Sequence, residues 1–195
     1  MKAYFNAANI INSFIKDNLY SVPQTSIERF MECITSSERV FLTGMGRSGL
    51  VAKSFAMRLM HLARHTYIVG DVTTPAIQEG DLLIVISGSG KTTHVLNTVE
   101  KAKQLKVKII SLTSFEDSPI AKNSDFIIKL EGKEKNTGRA DYITNQLEGK
   151  YESLAPMGTL FEISAMVFLD CLIAELANRL GKTESDMKSI HANLE

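Results

Sequence analysis

Ser87-Gly88-Ser89-Gly90-Lys91-Thr92 gathers three hydroxyls, an ammonium group and two glycines within six residues. The stretch follows Leu82 to Ile86, a wholly apolar run that reads as a strand buried on both faces. It precedes Val95, Val99 and Ala102, which repeat at helical spacing. A strand, a Gly/Ser turn and a helix start together aim free backbone N–H groups and the positive end of a helix dipole at one point. No Asp or Glu stands between Leu82 and Val99 to repel an anion. A phosphate group is the chemistry such a loop suits. It is not the nucleotide P-loop, which needs a glycine five residues before Gly90, where Val85 stands. An ordinary strand-to-helix turn capped by Thr92 or Thr93 remains the competing reading of the loop alone.

Gly44-Met-Gly46-Arg47-Ser48-Gly49 is a second glycine loop after a strand, and its spacing matches the dinucleotide fingerprint, with Asp71 available as a ribose acid. Arg47 and Ser48 suit a phosphate monoester equally well. Five Arg or Lys residues and no acid lie between Arg39 and Gly70, in a chain of 22 basic and 22 acidic residues. That local bias favours a small anionic ligand. His61 and His65 stand four apart, as zinc ligands do on a helix, but no glutamate lies between them and the helix is expected to end before His65. No metal is therefore assigned. His61 reads equally as a site residue or as a packed, hydrogen-bonded histidine. Thr159-Leu-Phe-Glu162 has the form of a capping box, and pattern alone favours Glu162 as a cap over Glu162 as a catalytic base.

The elements that must hold these residues alternate. Helices are expected over 3–18, with Phe5, Ile10, Ile11, Phe14 and Ile15 on one stripe, and from a Thr25…Glu28 capping box to Ile34, with Pro23 as the break between them. Strands follow at 39–43, 65–69, 82–86, 107–112 and 125–130, with helices at 50–62 and 93–105. The pattern predicts an α/β fold with a five-stranded parallel sheet, helices on both faces and ligands beyond the C-terminal strand ends. Glu131 to Glu152 is polar and glycine-bearing, a long loop. The helix from Thr159 to about Leu180 is apolar almost all round from Ile163 to Leu176, and a subunit interface is expected to cover its second side. Thr183 to His191, opened by a Thr183…Asp186 pair, is a short final helix. The 195 residues make one domain: N-terminal helices 1–36, sheet core 37–130, loop 131–155, C-terminal helices 156–195.

Composition narrows the partners. The formal net charge of zero gives no global field toward nucleic acid or membrane. Cys33 and Cys171 lie in apolar helical patterns and are expected as reduced core residues. Asn6, Asn9 and Asn12 interrupt any signal-peptide core, and no apolar run approaches the length of a membrane span, so a cytoplasmic protein is expected.

Thr43-Gly-Met-Gly-Arg-Ser-Gly-Leu-Val-Ala-Lys-Ser-Phe-Ala-Met-Arg-Leu-Met-His61 resembles the first loop and helix of 6-phospho-3-hexuloisomerases, members of the sugar isomerase (SIS) domain group. Ser87 to Thr92 resembles the SIS phosphate loop, and Pro156 to Glu162 and His191 to Glu195 resemble the third motif and the C-terminus. The resemblance implies a SIS fold, no cofactor, and a homotetramer with sites near subunit interfaces. It implies conversion of 3-hexulose 6-phosphate to fructose 6-phosphate in the ribulose monophosphate route of formaldehyde assimilation or detoxification. Carried over residue by residue, it makes Ser48 and Ser87, Gly88, Ser89, Gly90, Lys91 and Thr92 the substrate-binding set, to which the chemistry of the first glycine loop adds Arg47. Glu162 becomes the proton acceptor. Apart from the resemblance, the reaction calls for a group that polarises the carbonyl or shuttles the hydroxyl protons, and His61 or His191, from the same or a neighbouring subunit, is the candidate. Lys91 stands where relatives often carry Glu, and the 131–152 stretch is longer than theirs. Rival readings are an arabinose 5-phosphate isomerase, a non-catalytic sugar-phosphate sensor and a dinucleotide-dependent oxidoreductase.

Overall fold

The computed structural model describes residues 1–132 and 158–193. Five strands, β1 (Val40–Gly44), β2 (Thr66–Ile68), β3 (Leu82–Ile86), β4 (Lys108–Thr113) and β5 (Phe126–Lys129), form one sheet in the order β2-β1-β3-β4-β5. Every pairing is parallel, with Val40 opposite both Thr66 and Leu82. All five lie within a residue or so of their expected places. The helices are α1 (Lys2–Ser21), α2 (Gln24–Ser36), α3 (Arg47–His61), α4 (Thr93–Gln104), α5 (Pro119–Lys122), α6 (Thr159–Arg179) and α7 (Glu184–Ser189).

The apolar runs are continuous because both faces of the sheet are covered. Leu42, Ile84 and Ile86 point to one face, where they pack with Phe30 of α2, Val51 and Phe55 of α3, and Phe168 and Leu172 of α6. Phe41, Leu83 and Val85 point to the other, against Val95 and Val99 of α4 and Ile120 of α5. Phe30 is fully buried, with its ring centroid 6.3 Å from Phe168 and 6.5 Å from Phe55. Truncating such an aromatic costs about 3–5 kcal/mol. The loop before β3 is tied by Asp81, which accepts from Arg39 at 2.9 and 2.6 Å and from the Gln78 N–H at 2.8 Å.

Several local expectations are corrected. The first glycine loop is shorter than its spacing suggests. Only Met45 and Gly46 lie between β1 and α3, and Arg47, Ser48 and Gly49 already form the first turn of the helix. The Thr25…Glu28 box does not form, because Pro23 takes the cap position and Thr25 falls inside the helix. Glu28 instead accepts from Gln24 Nε2 at 2.8 Å. The Thr183…Asp186 box does form, and its helix stops at Ser189 rather than His191. Cys33 is buried but Cys171 is exposed. The second side of α6 is covered from within the chain, by α1, α2 and α3, so its apolar girth needs no neighbouring subunit. The exposed apolar side chains lie elsewhere, with Tyr4 and Phe5 on α1 and Leu50 and Met57 on α3. The 131–152 stretch beyond Gly132, with Pro156, Met157, Leu194 and Glu195, falls outside the described residues. Among the described residues, no helix is long and apolar enough to cross a membrane.

Candidate active site

The chain reverses direction across the sheet between β1 and β3, and ligands of open parallel sheets bind at such a switch point. A cavity of about 480 Å³ opens there, beyond the C-terminal ends of β1, β3 and β4. Three helix starts border it: Ser48 in the first turn of α3, Thr92 at the cap position of α4, and Gly158 at the cap position of α6. None of these starts carries a side-chain cap, so Thr92 does not close α4 as the competing reading of the loop supposed. Uncapped first-turn N–H groups and three dipole ends therefore face one volume.

The loop after β3 is held by its carbonyls. Ser87 O accepts from the Gly90 N–H, Gly88 O from the Ser114 N–H, and Gly90 O from the Ile120 N–H, each at 3.1 Å. Gly90 has φ +60, and a Cβ there would lie 2.0 Å from Ser118 Oγ, so this turn admits only glycine. Ser87 Oγ is buried and lacks a hydrogen-bond partner among the described residues, as does Ser114 Oγ beyond β4. Both residues line the cavity. A buried hydroxyl without a partner costs about 1–3 kcal/mol. A phosphate or polyol entering the cavity supplies what these two lack.

Glu162 faces this loop from α6. The expected Thr159…Glu162 box is absent because Gly158, not Thr159, is the cap residue, which leaves the carboxylate free to project into the cavity. Gly158 adopts φ +66, and a Cβ there would stand 3.2 Å from Glu162 Oε1, so a side chain would be strained and would crowd the carboxylate. Arg47 Nε donates to Glu162 Oε2 across 115 residues, and the two side chains are 58% and 15% exposed. The arginine is thus the flexible, solvated partner and the glutamate the held one.

Of the expected substrate-binding residues, Ser48, Ser87, Gly88, Ser89 and Thr92 line the cavity. Arg47 reaches it only through Glu162, Gly90 is packed beneath the loop, and Lys91 is exposed outside the lining. The basic bias between Arg39 and Gly70 is largely structural. Arg39 binds Asp81, Lys53 pairs with Asp71 at 3.4 Å, and Arg64 donates to the carbonyls of Ile34 and Ser37. Asp71, so paired and exposed, is outside the cavity lining.

The histidines are not brought to Glu162 within this chain. His61 ends α3 and stacks on His191, their ring centroids 5.2 Å apart. His61 and Arg47 are the two ends of a 15-residue helix, roughly 20 Å apart along its axis at 1.5 Å per residue. Burial, then the neighbouring His191 and Arg58, pull the His61 pKa below 6.5. His65 lies beyond the helix, so the two histidines four apart do not share a helical face. Sequence reasoning missed Ser114, Phe115, Glu131, Gly132 and Phe161 in the lining. Ser114 and Phe115 follow β4 directly, and the strand-end rule applied to every strand finds them.

Residues 33–148 match the SIS domain. The chain belongs to the SIS domain family. Among its relatives, the 3-hexulose-6-phosphate isomerase of Bacillus subtilis is 39% identical over 195 residues, covering all of both chains. The enzyme of the same name from Methylomonas aminofaciens is 40% identical, over 86% of this chain and 87% of its own. A Methanococcus jannaschii protein, whose crystal structure was used to infer 3-hexulose-6-phosphate isomerase function, is 35% identical with a TM-score of 0.79, covering both chains in full. The SIS assignment accounts for the sheet order and for the hydroxyl-rich loop after β3, and it leaves the dinucleotide reading of the first glycine loop without support.

Proposed function

We propose that this SIS protein is a 6-phospho-3-hexuloisomerase, interconverting 3-hexulose 6-phosphate and fructose 6-phosphate without a cofactor. The observation that carries the reading is the division of one cavity between anion-binding and proton-accepting ends. Ser87, Ser89 and Thr92 surround an uncapped helix start on one side, and the Glu162 carboxylate stands on the other. The relatives of that name, matched along nearly the whole chain, support the same reaction.

The phosphate binds at the α4 start and places the carbon chain along the cavity, its remote binding energy used for positioning. Glu162 removes the proton from C2 of the 3-ketose. The electrons form a C2–C3 enediolate, the proton of the O2 hydroxyl passes to O3, and the protonated carboxyl returns its proton to C3, leaving the carbonyl at C2. A 3-ketose whose O6 carries phosphate closes no five- or six-membered hemiketal, so no ring-opening acid is required in this direction. Arg47 orients Glu162 and, being largely solvated, is free to turn toward charge developing on the enediol oxygens. Ser48 and Ser114 bind sugar hydroxyls.

The assembly that fits this chemistry is a homotetramer with sites near its interfaces. Exposed Tyr4, Phe5, Leu50 and Met57 offer apolar surface for contact. His61 and His191, held about 20 Å along α3 from their own cavity, assist at a carbonyl only across a subunit boundary. The test is to supply 3-hexulose 6-phosphate, arabinose 5-phosphate and ribulose 5-phosphate separately, with no added nucleotide. Turnover of the first alone is expected, and preference for arabinose 5-phosphate overturns the assignment.

A further inference from the structure

Asn18 is the buried residue of α1, 4% exposed on a helix whose other side chains are exposed or half-buried. Its amide makes a matched pair of hydrogen bonds with one backbone residue. Nδ2 donates to the Glu131 carbonyl at 2.9 Å, and Oδ1 accepts from the Glu131 N–H at 2.9 Å. β5 is an edge strand of the sheet and ends at Lys129. Asn18 therefore gives residue 131 the donor and acceptor that a further strand would have provided.

What Asn18 grips is the cavity wall. Glu131 and Gly132 both line the cavity, and Gly132 is wedged against its other side. A Cβ at Gly132 would meet Ser114 Oγ at 2.7 Å and Phe161 Cβ at 3.4 Å. Ser114 carries one of the two partnerless hydroxyls in the cavity lining, and Phe161 immediately precedes Glu162. A shift of residue 131 by a few tenths of an ångström is thus felt by the groups that contact the sugar. We propose that Asn18 is a positioning residue for substrate: its amide, from the N-terminal helix, fixes the Glu131–Gly132 wall against Ser114 and Phe161.

Only an amide fits. Leucine in its place leaves the half-buried Glu131 N–H and C=O unpaired, and aspartate, of the same shape, sets a carboxylate against the Glu131 carbonyl. A plain anchoring role for α1 makes a different forecast, and Leu19 separates the two. Leu19 packs on the core from the same helical turn but makes no hydrogen bond to residue 131.

The assay rests on the isomerase reading for its substrate, so wild-type turnover of 3-hexulose 6-phosphate is measured first. Its absence refutes that reading and leaves the wall to be judged by amide exchange at Glu131, whose N–H donates to Asn18 Oδ1. That exchange is expected at least tenfold faster in Asn18→Leu than in Leu19→Ala. With wild-type turnover present, Asn18→Leu and Asn18→Asp should each raise KM about tenfold and change kcat less than threefold. Leu19→Ala should lower Tm with KM within twofold of wild type. Wild-type KM in folded Asn18→Asp overturns the positioning role, as does an equal rise in KM for Leu19→Ala. If Asn18→Leu does not fold, the Asn18→Asp comparison decides.

Discussion

Replacing Glu162 by glutamine tests the reaction and the architecture in one protein. The two side chains have the same shape, and glutamine still accepts a hydrogen bond from Arg47 while losing the charge. The ion pair it weakens has a 58% exposed arginine, so water screens most of its Coulomb energy. Such pairs contribute up to about 1 kcal/mol, and Tm should move by only a few degrees. The first turn of α6 has no side-chain cap to lose, so no further cost arises there. A neutral amide cannot take a carbon-bound proton. Turnover should therefore fall by roughly 100-fold or more, the scale of a lost general base, which corresponds to about 2.7 kcal/mol in activation free energy. The kinetic loss thus exceeds the stability loss by more than any indirect effect of the ion pair supplies. The assay is fructose 6-phosphate in D2O, followed by proton NMR. Enolisation exchanges the C3 proton, and the variant should bind the sugar phosphate while leaving that signal intact. Folded Glu162→Gln that exchanges the proton at near-normal rate refutes the assignment of the base.

Three more predictions follow from separate parts of the molecule. Ser89→Asp sets a carboxylate in the phosphate end of the cavity, and like charges at such contact cost several kcal/mol. KM should rise 100-fold or more, inorganic sulfate should compete with substrate in the wild type but not in the variant, and an unchanged KM removes the loop from the site. Arg39→Met strands Asp81, whose side chain is fully buried, and should cost on the order of 3 kcal/mol by urea titration with kcat preserved. His61 is held below its ordinary pKa of 6.5, so the unfolded chain binds the proton more readily than the folded one. The associated stability is complete above pH 6.5 and is lost as pH falls from there through the folded-state pKa. Tm should drop over that window, and His61→Gln should flatten the drop.

The sheet, and the Gly/Ser loop that lines one end of the cavity, were legible in the sequence. Leu82–Ile86 is apolar at every position because both faces are covered, and no other element accommodates such a run between a charge and a Gly/Ser turn. Ser87, Gly88, Ser89 and Thr92 are local in the chain, and local turn chemistry places them without help from afar. The family motifs likewise sit in short contiguous stretches.

Tertiary structure decided what joins distant residues. Whether Glu162 caps a helix or faces a cavity depends on which residue takes the cap position. Gly158 takes it by adopting a left-handed backbone conformation, which Thr159 as a β-branched residue disfavours. The Arg47–Glu162 contact spans 115 residues and the Asn18–Glu131 pair 113, separations at which no periodicity carries information. Nor does composition say which of five basic residues meets the ligand, since Arg39, Lys53 and Arg64 are claimed by Asp81, Asp71 and backbone carbonyls only once the chain has folded. The two histidines share a patch for the same reason. α3 carries His61 the full length of the helix from the cavity, and the fold brings His191 to it there.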